Sequence, residues 1–146
     1  MGRSRGGLTT KIHALVDAKG LPLRLELTPG QVHDVKAAAT LLAGLQPDSF
    51  ILGDKAYDAN GLRQQIEEQG AAANIPNRSN RKKLHRFSQT LYRERNLVER
   101  FIGKLKQCRR VATRYEKLGA NFLAMVKLAA IRIWLRVAAR TYESTT

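Results

Sequence analysis

Two carboxylates of this 146-residue chain stand apart by their position, and Asp54 is the first of them. It follows a short apolar run, SFILG, in the segment GDKAYD. Such a run is typical of a buried strand, and functional sites in open α/β sheets form beyond the carboxyl ends of the strands. The position therefore favours a catalytic carboxylate, although an aspartate that merely begins a turn explains the spacing equally well.

The second carboxylate, Glu99, belongs to a set with Tyr92, Arg95 and Lys106, at separations of three, four and seven residues. Residues at these separations lie on one face of an α-helix, so the set predicts a polar stripe. The alternative is a solvated face on which Arg95 and Glu99 form an ion pair, which contributes only about 0.3–0.5 kcal/mol. The residues alone leave both interpretations open.

The same residues resemble a known family, the bacterial insertion-sequence transposases of the Asp-Asp-Glu class, in the IS-five and IS-four-like group. The family's C-terminal signature is Tyr, two residues, Arg, three residues, Glu, six residues and Lys, and all four positions match here at Tyr92, Arg95, Glu99 and Lys106. The segment ILGDKAYDANGL resembles the family's second-Asp motif. The stretches RGGLTTKIHALVDAKGLPL and TPGQVHD resemble the strands before it, so the resemblance extends over about residues 2–136.

The resemblance implies that Asp54 and Glu99 are catalytic carboxylates that hold Mg²⁺ or Mn²⁺ in a two-ion site of the complete enzyme. Cleavage and strand transfer at a phosphodiester need an activated attacking oxygen and a stabilised leaving oxygen, and two carboxylate-held ions supply both. The resemblance also implies that Tyr92, Arg95 and Lys106 bind DNA rather than cleave it.

The charge of the chain predicts a polyanionic partner. There are 26 Lys and Arg residues against 12 Asp and Glu residues, a formal charge of +14, and neutralising phosphates releases condensed counterions. Residues 77–87, here called the basic segment, read NRSNRKKLHRF. We expect this segment to be an exposed loop that binds DNA through Arg81, Lys82 and Lys83.

Composition also bears on the compartment. No uninterrupted apolar run approaches the roughly 20 residues that span a bilayer, so a membrane role is not expected. The single cysteine, Cys108, cannot form an intramolecular disulfide, and the start MGRSRGG lacks the apolar core of a secretory signal. The cytoplasm is therefore the expected location.

Apolar periodicity and turn residues predict the elements that would position the two carboxylates. Residues 9–16 and 21–28 read as strands of an antiparallel hairpin whose turn is Asp17 to Gly20, and residues 2–7 read as a flexible basic lead-in. His13 and His33 are interpreted as structural, and Asp34 as a first-turn residue. In chain order, the remaining patterns predict a helix over residues 32–45, a strand over 49–53, a helix to residue 69 capped by Asp58, a strand over 71–76, and helices over 88–110 and 121–140.

These elements predict one mixed α/β domain over residues 1–146, and the resemblance implies a ribonuclease-H-like sheet with flanking helices. The family's first catalytic aspartate lies on a strand that should precede Thr9, and Asp17 at the hairpin apex is no substitute. We therefore expect an N-terminally incomplete domain. Either an upstream transposase segment reached by ribosomal frameshifting supplies the strand, or the chain is a truncated remnant.

The predicted function is transposition of an insertion sequence by a homo-oligomer acting on transposon ends and target DNA, with the chain alone inactive. Two alternatives remain. A non-catalytic, basic DNA-binding remnant would keep the charge and use neither Asp54 nor Glu99. A metal-dependent nuclease that only hydrolyses would use both carboxylates without strand transfer.

Overall fold

The computed structural model describes residues 2–4, 7–114 and 116–143, with side chains from residue 9 onward. The strands are β1 (Gly2–Ser4), β2 (Gly7–Val16), β3 (Pro22–Pro29), β4 (Phe50–Leu52) and β5 (Ala72–Asn74). The helices are α1 (Asp34–Leu41), α2 (Asn60–Glu68), α3 (Gln89–Tyr92), α4 (Asn96–Lys106), α5 (Arg109–Ala112) and α6 (Gly119–Glu143). Two 3₁₀ turns, Lys55–Tyr57 and Arg93–Arg95, complete the set.

The predicted hairpin is confirmed as β2 and β3, which pair antiparallel from Thr10 opposite Pro29 to Val16 opposite Pro22. Its turn has the expected chemistry. Asp17 Oδ1 accepts hydrogen bonds from the backbone of Lys19 and Leu21, both at 2.8 Å, and Gly20 adopts a φ of 76°, which glycine reaches without a Cβ clash.

The prediction of a flexible lead-in is wrong for residues 2–4. They form β1, which pairs antiparallel with the first residues of β2, because a short strand can satisfy its backbone groups on the free edge of the longer one. Residues 5 and 6 of the predicted lead-in lie outside the described part of the chain.

The described strands form two sheets, one ordered β1-β2-β3 and one in which β4 and β5 pair parallel. Helix α2 makes the crossover between the two parallel strands, as a parallel pair requires. The mixed α/β class is confirmed, and the ribonuclease-H-like arrangement stays a prediction. Phe50 in β4 is 61% exposed, and Ile51 and Leu52 are only partly buried, so the expectation of a buried strand is wrong.

Two apolar clusters hold the elements together. The first joins the hairpin to α4 and α6 around Phe101, Leu105 and Val126, and the second joins α1, α2 and β5 around Ile66 and Ile75. Helix α4, which carries Glu99, therefore lies against the hairpin. Among the helices in the described ranges, none is both long and apolar enough to cross a membrane.

Several helix boundaries differ from the sequence-based expectation. Helix α1 ends at Leu41 rather than residue 45, and the predicted helix over residues 88–110 is divided by a 3₁₀ turn and ends at Lys106. The interpretation of Asp58 as a helix cap is wrong: the N-cap of α2 is Ala59, and no side chain caps it. Asp58 is buried instead, for the reason given below.

Candidate active site

Asp54 lies two residues beyond the end of β4, where its backbone is extended and begins a 3₁₀ turn. Its Oδ1 accepts a hydrogen bond from the backbone N of Ala56 at 2.7 Å. The interpretation of this aspartate as the start of a turn is confirmed, because one carboxylate oxygen caps the turn. Its catalytic role stays a prediction, and within the described part of the chain Oδ2 has no hydrogen-bond partner. The cap orients the carboxylate and leaves one oxygen available for a ligand.

The turn that follows Asp54 is tied to the hairpin through Tyr57 and His13. The Tyr57 hydroxyl lies 3.4 Å from His13 Nδ1, and His13 Nε2 lies 2.8 Å from Thr28 Oγ1. Burial raises the pKa of Tyr57 to about 12, assisted by the charges of Asp34 and Asp54. Burial also lowers the pKa of His13, against the opposing effect of Asp34. The His13 ring and the Tyr57 hydroxyl therefore link the hairpin to the turn that follows β4, and the burial of His13 fits the structural role expected of it.

The helical region bearing the Tyr92 signature forms a continuous series of side-chain contacts. The rings of Phe87 and Tyr92 pack edge to face with centroids 5.2 Å apart. The Arg95 guanidinium lies 5.3 Å from the centre of the Tyr92 ring, and its Nη2 donates to Glu99 Oε1 at 2.5 Å. The polar stripe predicted from the spacing therefore exists, and it starts at the end of the basic segment.

Lys106 is the last residue of this stripe. It is exposed at the C-terminal end of α4, seven residues after Glu99 and thus roughly 10 Å further along the helix axis. Within the described residues its ammonium group has no ion-pair partner.

Arg95 forms an ion pair with Glu99 across one turn of the helical region. Burial lowers the pKa of Arg95, but the hydrogen bond to Glu99 and the charges of Glu99 and Asp54 raise it on balance. The charge of Asp54 contributes least to this rise, and the contact that holds Arg95 is the hydrogen bond to Glu99.

The donor set fits a divalent ion in type and is incomplete in number. Carboxylate oxygens are the ligands that Mg²⁺ and Mn²⁺ prefer, and Asp54 and Glu99 supply them. Among the described residues, however, no group of three or more His, Cys, Asp or Glu side chains could hold an ion. The pair can provide part of a metal site, and Arg95 presently neutralises one of its members.

The basic segment has fewer free cations than its composition predicts. Arg81 forms an ion pair with Asp58, Nε to Oδ2 at 2.7 Å, and its side chain is 12% exposed. Lys82 and Lys83 are exposed. The structure thus separates one predicted DNA-binding residue, which is engaged within the protein, from two that face solvent. Asp58 and Tyr57 were missed as residues of the site because their partners are remote in sequence.

Residues 2–134 match the transposase DDE domain family. The match spans both carboxylates, the basic segment and most of α6. The chain therefore belongs to the transposase DDE domain family, and its function is that of an insertion-sequence transposase. Proteins of this family generally use divalent metal ions.

Two curated relatives agree with this assignment. A candidate transposase for insertion sequence element IS6501 of Brucella ovis is 44% identical over 130 residues, which are 88% of this chain and 100% of that protein. A transposase for insertion sequence element IS1106 of Neisseria meningitidis serogroup B is 29% identical over 125 residues, covering 82% of this chain but 41% of that protein. No solved structure is significantly similar to the chain.

Proposed function

We propose that the chain is the C-terminal part of a ribonuclease-H-like catalytic domain, and that Asp54 and Glu99 are its catalytic carboxylates. They would hold Mg²⁺ or Mn²⁺ for cleavage and strand transfer of insertion-sequence DNA. The observation that carries this proposal is the Asp54 carboxylate, which follows β4 and has Oδ1 held by the backbone of Ala56, with no hydrogen-bond partner for Oδ2 among the described residues. A carboxylate with one oxygen held and one available is suited to bind a divalent ion.

The two carboxylates differ in the hydrogen bonds that hold them before an ion binds. Asp54 uses Oδ1 to cap the turn, which restrains its side chain and leaves Oδ2 for an ion. Glu99 is 57% exposed, and Arg95 neutralises it until the site is loaded. When bound, the ions activate the attacking oxygen and stabilise the leaving oxygen of the phosphodiester.

The cationic residues of the site would position the DNA. Once Glu99 is engaged elsewhere, Arg95 can donate to a phosphate, because guanidinium groups form paired hydrogen bonds with phosphate oxygens. Tyr92 keeps the guanidinium over its ring, and Lys106, Lys82 and Lys83 supply charge to the backbone. Arg81 contributes mainly by supporting the basic segment, although its Nη2 has no hydrogen-bond partner within the described residues.

The complete site requires a third carboxylate, and we propose that an upstream transposase segment contributes it on a further strand. The support is structural. Beyond β1 the outer edge of β2 is unpaired in the described part of the chain, and β4 is paired on one side only. An added strand would satisfy such edges. The enzyme would act as a homo-oligomer on transposon ends and target DNA in the cytoplasm, and the present chain alone would be nearly inactive.

The test is an assay of DNA cleavage and strand transfer with Mg²⁺ or Mn²⁺, in the 146-residue chain and in a fusion to its upstream segment. In the fusion, Asp54→Asn and Glu99→Gln should each abolish both reactions and retain DNA binding. Matched controls are Asp48→Asn and Glu94→Gln, which remove the same charge from exposed positions and should leave both reactions intact.

The outcomes separate the alternatives. A fusion that binds DNA but neither cleaves nor joins it indicates the non-catalytic remnant. A fusion that cleaves without joining indicates a nuclease. Full activity after either substitution, or robust activity of the 146-residue chain alone, would contradict the proposal.

A further inference from the structure

The basic segment is folded back onto a single buried carboxylate. The Asp58 side chain is 0% exposed and accepts three hydrogen bonds: Oδ1 from Arg63 Nε at 2.9 Å, and Oδ2 from Arg81 Nε at 2.7 Å and from the backbone N of Arg78 at 2.8 Å. Arg63 belongs to α2, whereas Arg78 and Arg81 belong to the basic segment. Asp58 therefore ties this loop to the start of α2.

Further bonds tie the loop to the turn that follows Asp54. The Arg78 guanidinium donates to the carbonyl oxygens of Lys55 at 3.1 Å and Ala56 at 2.8 Å. Asp54 itself binds the backbone N of Ala56. The two carbonyl groups that bind Arg78 thus belong to the two residues that directly follow the proposed catalytic aspartate.

Contacts within the basic segment also stabilise the loop. Arg81 Nη1 lies 3.0 Å from His85 Nε2, and Asn77 exchanges two hydrogen bonds of 2.9 Å with the backbone of His85. A loop with these bonds retains a defined shape although it contains no helix or strand, because its buried polar groups are satisfied.

This anchoring divides the cations of the segment into two groups. Arg81 is bound by Asp58, and Arg78 is bound by the carbonyl oxygens of Lys55 and Ala56. Lys82, Lys83 and Arg86 are exposed. Between the segment and α2 lies an open cleft of about 630 Å³, whose lining has five Lys and Arg residues and two acidic ones. An excess of cations around a cleft favours an anionic ligand.

We infer that Asp58 is a positioning residue that holds Lys82 and Lys83 as a rigid platform for the sugar-phosphate backbone of duplex DNA, beside Asp54. The inference rests on the proposed function in taking DNA as the ligand. Lysine ammonium groups act as point charges on phosphate and carry no base information. The platform therefore binds DNA without sequence specificity. It also fixes the position of the DNA strand relative to the proposed catalytic carboxylate.

The test compares two variants of the full chain that each remove one positive charge. Arg81→Gln removes the anchor on the loop side and leaves the Arg63–Asp58 pair in place, so the domain remains folded. Lys82→Gln also removes one positive charge but leaves every hydrogen bond to Asp58 in place. Arg81→Lys serves as the conservative variant, because an ammonium can still reach the carboxylate and should restore most of the wild-type behaviour.

The first readout is loop mobility without DNA. Cleavage by trypsin after Lys82 and Lys83 should become about tenfold faster in Arg81→Gln, because proteolysis follows the population of the open loop. Cleavage after the exposed Lys19 of the hairpin turn should not change. If cleavage after Lys83, the site that both variants keep, is no faster in Arg81→Gln than in Lys82→Gln, the anchoring role is wrong.

The second readout is the salt dependence of duplex binding. Lys82→Gln should reduce the log–log slope by about 0.9, the value for one phosphate contact, whereas Arg81→Gln should reduce it by about 2, because both lysines lose their position. A merely destabilising substitution would not change the number of contacts. Equal slopes for the two variants would overturn the positioning role, and no effect of Lys82→Gln would overturn the DNA role, while the assignment of Asp54 and Glu99 would stand in both cases.

Discussion

The side chain of Asn74, the last residue of β5, exchanges two hydrogen bonds with the backbone of Ser88, the residue before α3. Asn74 Nδ2 donates to the Ser88 carbonyl oxygen at 3.0 Å, and Ser88 N donates to Asn74 Oδ1 at 2.7 Å. Because β5 pairs with β4, this contact joins the strand that leads to Asp54 to the helical region that carries Glu99. It also closes the basic segment between them into a loop.

Asn74→Ala should therefore destabilise the domain and loosen the start of α3. Asn74 is 4% exposed, and the substitution leaves two backbone groups of Ser88 without partners, at a cost of about 1–3 kcal/mol for each group that stays buried. Urea unfolding measures the change. The matched control is Asn96→Ala at an exposed helical position, where alanine should be neutral or slightly stabilising. Equal stabilities of the two variants would contradict the role of Asn74.

Local sequence patterns predicted the elements well where local chemistry decides them. Alternating leucines and the Asp17 to Gly20 turn identified the hairpin, and helical spacing identified α6. The patterns were less informative where pairing decides the structure. Strand β1 depends on the free edge of β2, and the exposure of Phe50 depends on which strands flank β4, so neither follows from residue periodicity.

In the candidate site, too, local patterns predicted the contacts between residues near in sequence and not those between distant residues. The spacing of Tyr92, Arg95 and Glu99 predicted a stripe because all three lie in one helical region. Asp58 was misread as a cap because its partner Arg81 lies 23 residues away, and no local pattern encodes that pair. For Arg81, composition reveals a cation and not the carboxylate that already binds it, and its contact with DNA stays a prediction.

A second prediction concerns pH and His13. Since burial lowers the pKa of His13, the unfolded chain binds its proton more readily than the folded one. The associated stability is present above about pH 6.5, the usual histidine pKa, and is lost as the pH falls toward the lowered value. His13→Gln should show a shallower loss of unfolding free energy between about pH 7 and 5. His33→Gln, at an exposed position, should behave like the wild type, and a His13→Gln profile parallel to the wild type would refute the argument.

A third prediction concerns the stability that Asp58 contributes. Burial raises its pKa, but hydrogen bonds from Arg81, Arg78 and Arg63 outweigh this effect and hold the pKa well below its usual range. The contribution is therefore present above about pH 4 and is lost only in stronger acid. At neutral pH, Asp58→Asn should cost about 3–5 kcal/mol, because it leaves Arg63 buried without a counter-charge. Chemical unfolding measures the free energy of unfolding of this variant. The control is Asp48→Asn, for which almost no change in that free energy is expected.

A fourth prediction follows from the formal charge of +14. The chain alone should bind duplex DNA with little sequence preference, and its affinity should fall steeply with salt, because each phosphate contact contributes about 0.9 to the log–log slope. Titration of a fluorescent duplex at several salt concentrations measures the slope. An unrelated duplex of equal length should bind similarly. A flat dependence on salt would remove nucleic acid as the main partner.

The last prediction concerns the competition between Arg95 and a divalent ion for Glu99. Glu99 Oε1 accepts a hydrogen bond from Arg95 at 2.5 Å, so an ion that binds this carboxylate must displace the guanidinium or share its charge. Arg95→Gln removes the competitor and should increase Mn²⁺ binding by the chain, while weakening DNA binding through the loss of a phosphate donor. Paramagnetic broadening of the Glu99 and Asp54 resonances by Mn²⁺ measures the first effect directly.

The matched control is Arg93→Gln, which removes one charge from an exposed position two residues away without touching Glu99. It should shift Mn²⁺ binding only as far as the change in overall charge requires, and that shift should disappear at high salt because exposed charges are screened. The effect of Arg95→Gln should persist at high salt, since it arises from direct contact. Identical Mn²⁺ binding by the two variants at high salt would mean that Arg95 and the ion do not compete, and that Glu99 is simply one half of a surface ion pair.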